Sequence, residues 1–422
     1  MARWIYSLLM YLALPVVFLF FWFRGRRDPA YRRGLSQRLG YIDGNAGPGC
    51  LLVHAASVGE VIAATPVIQR LGQHYPDASL VVTTMTPTGA ERVQAAFAGT
   101  VQHYYLPLDV PHAVHRFLSR LNPSVLVIME TEVWPNLVHA CNRRGIPVVL
   151  ANARMSARSE RGYARFRFFS RPLFQGLDWV AAQAQPDAAR FGRLGVAAER
   201  LAVTGSIKYD VSIDEANRKQ AAELRQEMGA RPVWIAASTH EGEDEQVLEA
   251  HARLLERQPE ALLILVPRHR ERFDPVFNEI GRRGLSVSRR SRGESPGQVA
   301  VYLADTMGEL LMLFGAADLA FIGGSLIERG GHNPLEAAAW GLPILTGHHV
   351  FNFTTVFEFL EAEGGVIRVG EGADLGQAVV TVFEDAEMRH RMGEGASAVV
   401  DANRGAVERL VDGIARLRDQ RC

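Results

Sequence analysis

From residue 50 onward, short aliphatic and β-branched runs alternate with stretches whose apolar positions recur at helical spacing. LLVHAA, SLVVTTM, SVLVIME, PVVLANA, WVAAQ and LAVTGS make one series; VWIAAS, ALLILVP, LSVS, VAVYLAD, DLAFIGG and LPILTG make a second. Strands that are apolar throughout, separated by amphipathic helices, predict parallel sheets covered on both faces by crossover helices. Between the series lies DVSIDEANRKQAAELRQEMGARP, polar, helix-favouring and without a strand, which reads as a linker. The pattern therefore predicts an α/β chain of two doubly wound halves with a ligand cleft between them. The predicted divisions are an apolar helix at 1–23, a basic segment at 24–48, a first α/β domain at 49–207, a linker at 208–230, a second α/β domain at 231–395 and terminal helices at 396–422.

Ile5 to Phe23 is almost wholly apolar. A helix of that length covers about 28 Å, close to the roughly 30 Å of a hydrocarbon core. Phe21, Trp22 and Phe23 stand where a cleaved signal would place small residues, so a retained single-pass anchor is predicted. Arg24, Arg26, Arg27, Arg32, Arg33 and Arg38 face only Asp28, which keeps the following chain on the cytoplasmic side. A re-entrant segment or one lying on the membrane surface is the alternative, given Pro15 in its middle. A second basic stretch, ARMSARSERGYARFRFFSRPLF, interleaves six arginines with Tyr163, Phe166, Phe168 and Phe169 against one acid, Glu160. It predicts either a membrane-facing surface or an amphipathic helix with a solvated cationic side.

Composition narrows the chemistry. The 422 residues, 48% hydrophobic, suffice for two cores, and Lys+Arg balance Asp+Glu at 46 each, so no overall field favours nucleic acid. Cys50, Cys141 and Cys422 have no ligand spacing, and there is no DxD, HExxH or paired-cysteine motif. The sequence requires neither a metal nor a cofactor.

FIGGSLIERGGHNPLEAAAWGLPILTG carries the clearest ligand signal. Gly323, Gly324, Gly330 and Gly331 would let backbone N–H groups approach an anion, and Asn333 is placed to cap a helix with Pro334 first and Leu335 and Glu336 in the opening turn. Glu336 there could accept from two ribose hydroxyls; a merely well-capped helix is the competing reading. Arg268 and His269 end ALLILVPRH, where a planar guanidinium suits phosphate, whereas Arg270 and Arg272 read as a solvated turn. Met307, Gly308 and Glu309 open a further helix beside that loop. In the first half, Glu60 of HAASVGEVIAATP follows a strand where a phosphate loop commonly sits. Ser57 and Glu60 also form an S-x-x-E capping box, in which the acid bonds back to the Ser57 backbone, and either role predicts an ionised carboxylate. Glu130 ends SVLVIME in the same manner, with Glu132 close behind, which suggests activation of an acceptor hydroxyl. Lys208 of TGSIKYD ends the last strand of that half.

Taken together, HAASVGEV, METEVWPN, TGSIKYD, STHEGED, VPRHRERF, DTMGEL and GGSLIERGGHNPLE closely resemble the 3-deoxy-D-manno-octulosonic acid (Kdo) transferases of lipopolysaccharide assembly, over nearly the whole chain. The resemblance implies a glycosyltransferase B fold of two Rossmann-like domains. It implies inverting, metal-independent transfer of Kdo from CMP-Kdo to the lipid A precursor, lipid IVA, at the cytoplasmic face of the inner membrane. It implies Glu60 as the proton acceptor, Glu130 and Lys208 as transition-state stabilisers, and Arg268, His269, Met307 to Glu309 and Asn333 to Glu336 as CMP-binding positions. The arginine-rich stretch would then meet the acceptor's phosphates. CMP-Kdo, the acceptor lipid and membrane lipid are the partners implied, with no nucleic acid and no obligate protein partner. The alternatives are another enzyme of that fold, such as a UDP-sugar transferase or epimerase, and a non-catalytic nucleotide-sugar-binding membrane protein.

Overall fold

The computed structural model describes residues 2–43, 47, 49–370 and 372–420. Met1 of the predicted anchor, residues 44–46 and 48 of the basic segment, Glu371, Arg421 and Cys422 lie outside the described residues. The chain divides into two compact units, Met1–Asp210 with Gly405–Cys422, and Val211–Arg404.

Unit 1 is built on strands β1 (Leu51–His54), β2 (Leu80–Thr84), β3 (Gln102–Tyr105), β4 (Val125–Met129), β5 (Val148–Ala153), β6 (Trp179–Ala182) and β7 (Leu201–Val203). All pair in parallel in the order β3-β2-β1-β4-β5-β6-β7. Because side chains alternate along a strand, Leu52, Leu126, Ile128 and Leu150 enter one core while Leu51, Val53, Val127 and Val149 enter the core on the opposite face. Fully burying each such side chain is worth about 1.5–3 kcal/mol, which explains why the central strands carry no polar face.

The second core is completed from far along the chain. Helix Ala406–Asp419 lays Ala406, Leu410, Val411 and Ile414 among Val61, Ala64 and Ile68 of helix Val58–His74. Its entry is fixed by Asp210, whose two carboxylate oxygens accept from the backbone N–H groups of Gly405 and Val407. Gly413 sits against the Trp179 indole, where a Cβ would lie 2.1 Å from the ring.

The apolar N-terminal helix, Ala2–Arg27, is not detached from this unit. Among its buried and half-buried positions, Arg3, Ser7, Met10, Leu14, Val17, Phe21 and Gly25 recur at helical spacing along one side. Ser7 and Arg3 donate to Asn136 Oδ1 at 2.9 and 3.2 Å. At the other end Phe21 covers the Arg38 guanidinium at 4.4 Å, with Tyr105 on that guanidinium at 4.5 Å. Arg38, counted from the sequence among the membrane-flanking arginines, is fully buried and donates to the Met85 carbonyl at 2.8 Å; it holds the helix to the domain.

Unit 2 repeats the architecture with β8 (Val233–Thr239), β9 (Leu262–Pro267), β10 (Val287–Arg289), β11 (Val301–Leu303), β12 (Leu319–Ile322), β13 (Ile344–Thr346) and β14 (Val366–Arg368). The order is β10-β11-β9-β8-β12-β13-β14, again all parallel. The strand-free stretch after β7 forms helix Glu215–Met228, whose Arg225 grips Asp318 through paired contacts of 3.0 and 3.1 Å. Trp234 is fully buried at the centre of the core.

Candidate active site

In unit 1 the strand order reverses between β1 and β4, where the chain leaving β1 turns toward β2 and the chain leaving β4 turns toward β5. Such a switch point opens a crevice at the carboxyl ends of the two strands. Glu60 lies in the first helical turn after β1, and Glu130 directly follows β4. Glu130 holds a left-handed backbone (φ 57°) while its N–H donates to Ala151 at 2.9 Å. A non-glycine residue there costs on the order of 1–3 kcal/mol and persists where surrounding structure fixes it. Asn152, in β5, shares this conformation (φ 52°), and its Oδ1 accepts from Ile207 N at 3.3 Å. That contact anchors the short 3-10 turn Ile207–Tyr209 on which the exposed Lys208 stands.

The Glu60 carboxylate points back toward its own loop. One oxygen accepts from Ala56 N at 2.9 Å and the other from the Ser57 hydroxyl at 3.1 Å, while Ser57 Oγ in turn accepts from Glu60 N at 3.4 Å. This is a capping box displaced by one residue from the predicted bond to the Ser57 backbone. Burial pushes the Glu60 carboxyl above its ordinary value, the Ala56 and Ser57 bonds oppose this, and the charges of Glu132 and Glu130 add to the rise. Glu132 is raised too, chiefly by burial. Three carboxylates around one switch point, two of them raised by burial, make a site able to accept a proton.

In unit 2 a cavity of about 250 Å³ is lined by Ser238, Arg268, Met307, Gly308, His332, Asn333 and Glu336. Ser238 comes from the end of β8, Arg268, Met307, Gly308, His332 and Asn333 from the loops after β9, β11 and β12, and Glu336 from the helix that follows, so the site again sits at the carboxyl ends of the strands. The Arg268 guanidinium has no hydrogen-bond or ion-pair partner among the described residues, although its backbone N–H is fixed on Thr239 O at 2.9 Å. Glu336 likewise has no partner among the described residues, and burial alone raises its carboxyl. One cation and one carboxylate thus face a common space with their bonding capacity unspent.

His269, Glu309, Pro334 and Leu335 do not line that cavity. Glu309 is held by Arg290 through contacts of 2.6 and 2.8 Å and by the Thr306 hydroxyl, which lower its pKa, so its side chain fixes the turn that exposes Gly308. Leu335 is core, and Asn333 Oδ1 accepts from Leu335 N at 3.1 Å to start a helix of only five residues, Leu335–Ala339. A helix this short contributes little dipole to an anion site. Arg272, read from sequence as solvated, instead pairs with the buried Asp244 at 2.7 Å.

The glycine loop also departs from expectation. Its backbone donors are already taken: Glu243, fully buried, accepts from Gly324 N at 2.7 Å and from His240, Ser325 and Leu326 N at 3.0 Å each. A protein carboxylate occupies the nest predicted for a ligand anion. Beside it His240 and His332 stack with their Nε2 atoms 2.8 Å apart, and both are pushed toward the neutral form, first by burial. Ser238, whose left-handed backbone (φ 60°) turns β8 into the cavity, also escaped the sequence reading. The signal available for these three was STHEGED, which places Ser238, His240 and Glu243 in one turn after a strand.

Residues 33–211 match the family model of 3-deoxy-D-manno-octulosonic-acid transferase (kdotransferase), and residues 235–399 match that of glycosyl transferases group 1. A 3-deoxy-D-manno-octulosonic acid transferase of Haemophilus influenzae is 44% identical over 98% of both chains. The chain belongs to the Kdo transferase family. A Kdo transferase of Bordetella pertussis is 35% identical over 98% of this chain and 99% of its own. In fold, this Kdo transferase is similar to a UDP-GlcNAc 2-epimerase of Neisseria meningitidis, with a TM-score of 0.58 over 87% of this chain and 99% of the epimerase. At 15% identity that likeness concerns the two-domain glycosyltransferase B architecture alone. The enzyme is therefore a glycosyltransferase carrying a membrane-anchor candidate, the helix Arg3–Arg27, which contains an 18-residue window of mean hydropathy 2.1.

Proposed function

We propose that the enzyme transfers Kdo from CMP-Kdo to the lipid A precursor, lipid IVA, with inversion and without a metal, at the cytoplasmic face of the inner membrane. Glu60 takes the proton of the acceptor hydroxyl as that oxygen bonds to the anomeric carbon of Kdo. The bond from that carbon to the CMP phosphate breaks, and CMP leaves with its electron pair. Glu130 and Lys208 stabilise the charge that develops, while unit 2 holds the donor through Arg268 on the phosphate and Glu336 on the ribose hydroxyls. His269, the Met307 to Glu309 turn and the Asn333 to Leu335 segment shape that site.

The observation that carries this reading is the cavity in which Arg268 and Glu336 stand without partners among the described residues. A single guanidinium suits the single phosphate of a nucleoside monophosphate leaving group, and a half-buried carboxylate suits a vicinal diol. The raised Glu60 carboxyl supports the base assignment, since a base works best with a pKa near the operating pH. The test is transfer from CMP-Kdo to lipid IVA by the wild type and Glu60→Gln, with UDP-sugars as competing donors. Substantial activity in the variant refutes the base; equal use of a UDP-sugar refutes the donor.

A further inference from the structure

We propose that the N-terminal helix lies in the plane of the membrane, flat against unit 1, and does not cross the bilayer. The argument rests on where its two ends are held. Arg3 and Ser7 bond to Asn136, while Phe21 packs on Arg38. From Arg3 to Phe21 the helix advances about 27 Å, nearly the roughly 30 Å of a hydrocarbon core. If the helix crossed, these two contacts would fall near opposite faces of the bilayer.

Both contact points belong to one folded domain. Asn136 donates its side-chain amide to the Asp109 carbonyl at 2.6 Å, and its backbone N–H to the Asp109 carboxylate at 2.9 Å. Leu137 N donates to the same carboxylate at 2.9 Å. This buried polar cluster cannot enter hydrocarbon without exposing it to an acid and an amide. Ser7, itself buried, completes the cluster.

The outward side of the helix identifies its occupant. Ile5, Leu9, Leu12, Val16, Leu19 and Phe23 are exposed along one face, a surface that water does not favour. Arg26 lies over the Trp22 ring at 3.9 Å, an arrangement in which a guanidinium reaches a headgroup while the ring stays apolar. A cavity of about 500 Å³ is lined jointly by this helix, through Arg3 and Tyr6, and by Phe166, Phe168 and Phe169 of the arginine-rich stretch. The exposed rings and arginines of that stretch therefore adjoin the same helix. An apolar strip bordered by cations fits an anionic lipid surface.

The test places a single cysteine at the helix start, Ala2→Cys, in a full-length chain with Cys422→Ser; Cys50 and Cys141 are buried. A membrane-impermeant maleimide is applied to inverted inner-membrane vesicles and to intact spheroplasts of a Gram-negative host. Labelling in the inverted vesicles alone is expected. Labelling from the periplasmic side, or from neither side, overturns the proposal. A second copy of the chain is the other possible cover for the apolar face. Purified protein is therefore expected to float with vesicles containing anionic lipid, and a detergent-free soluble dimer that ignores them would also overturn it.

Discussion

Glu243 reaches Gly324 N at 2.7 Å, so the loop after β8 is fastened to the loop after β12 by a buried carboxylate. The bond is one of four to backbone N–H groups, all converging on the same side chain. Glu243→Gln keeps the shape but turns an NH₂ group toward donors. Leaving buried N–H groups unpaired costs about 1–3 kcal/mol, so the expected result is a lower Tm together with roughly tenfold weaker CMP binding by calorimetry. Unchanged CMP affinity would show that the loop keeps its form without this fastening.

Arg268 and Glu336 are expected to separate by ligand. Arg268→Ala should weaken CMP binding by about 10- to 100-fold, the worth of one charge-assisted contact, and leave cytidine unaffected. Glu336→Gln should weaken CMP and cytidine alike, and have little effect on a dideoxyribose analogue. Calorimetric titration of the three ligands against both variants distinguishes a phosphate ligand from a diol ligand.

Glu60 makes a pH prediction. A base must be ionised to act, so kcat/KM should rise with pH along a limb whose midpoint lies above the ordinary carboxylate value, because burial raises this carboxyl. Glu132→Gln removes a neighbouring negative charge that contributes to the rise. Its limb should therefore move to lower pH. Glu60→Gln should lower kcat by about 10²- to 10⁴-fold. A limb that stays in place in Glu132→Gln would uncouple the two acids.

His251 makes a stability prediction. Trp234 Nε1 donates to its Nδ1 at 3.1 Å and its Nε2 faces Ala300 O at 2.8 Å, a pattern that fixes the neutral tautomer. Burial brings its pKa down from 6.5 to about 4. Between those values the unfolded chain binds one more proton than the folded chain, so stability is full above about pH 6.5 and falls toward pH 4, at up to about 1.4 kcal/mol per pH unit. His54, His103 and His332, also brought down to about 4, act in the same direction. Denaturant melts across this range should show a shallower acid loss for His251→Gln than for the wild type.

Metal removal gives a simpler check. Transfer from CMP-Kdo measured after exhaustive chelation with EDTA should equal the untreated rate.

The hydrophobic pattern made both sheets legible, because parallel strands buried on two faces leave uninterrupted apolar runs such as SVLVIM and ALLILV. Glycine and arginine marked the loops of the unit 2 cavity, and Arg268, Gly308 and Glu336 do line it. What the loop amides bind was not legible. Glu243 lies about eighty positions from Gly324, and nothing local distinguishes it from Glu241 or Asp244. Arg272 and Arg38 failed for a related reason: an arginine's partner, here Asp244 or a pair of aromatic rings, is decided by tertiary packing. The N-terminal helix illustrates the limit of hydropathy, which registers its apolar length but not the polar cluster at Asn136 that its inner side completes.

The clasp of Asp210 on Gly405 and Val407 has a consequence for biosynthesis. All strands of unit 1 are synthesised before residue 204, yet Val61 and Ile68 await Leu410 and Ile414, which the ribosome adds some two hundred residues later. Unit 2, contained within Val211–Arg404, has its whole sequence available first. For the time taken to make those residues, Val61, Ala64 and Ile68 of the nascent first unit lack the helix that covers them, an apolar surface of the kind that chaperones bind.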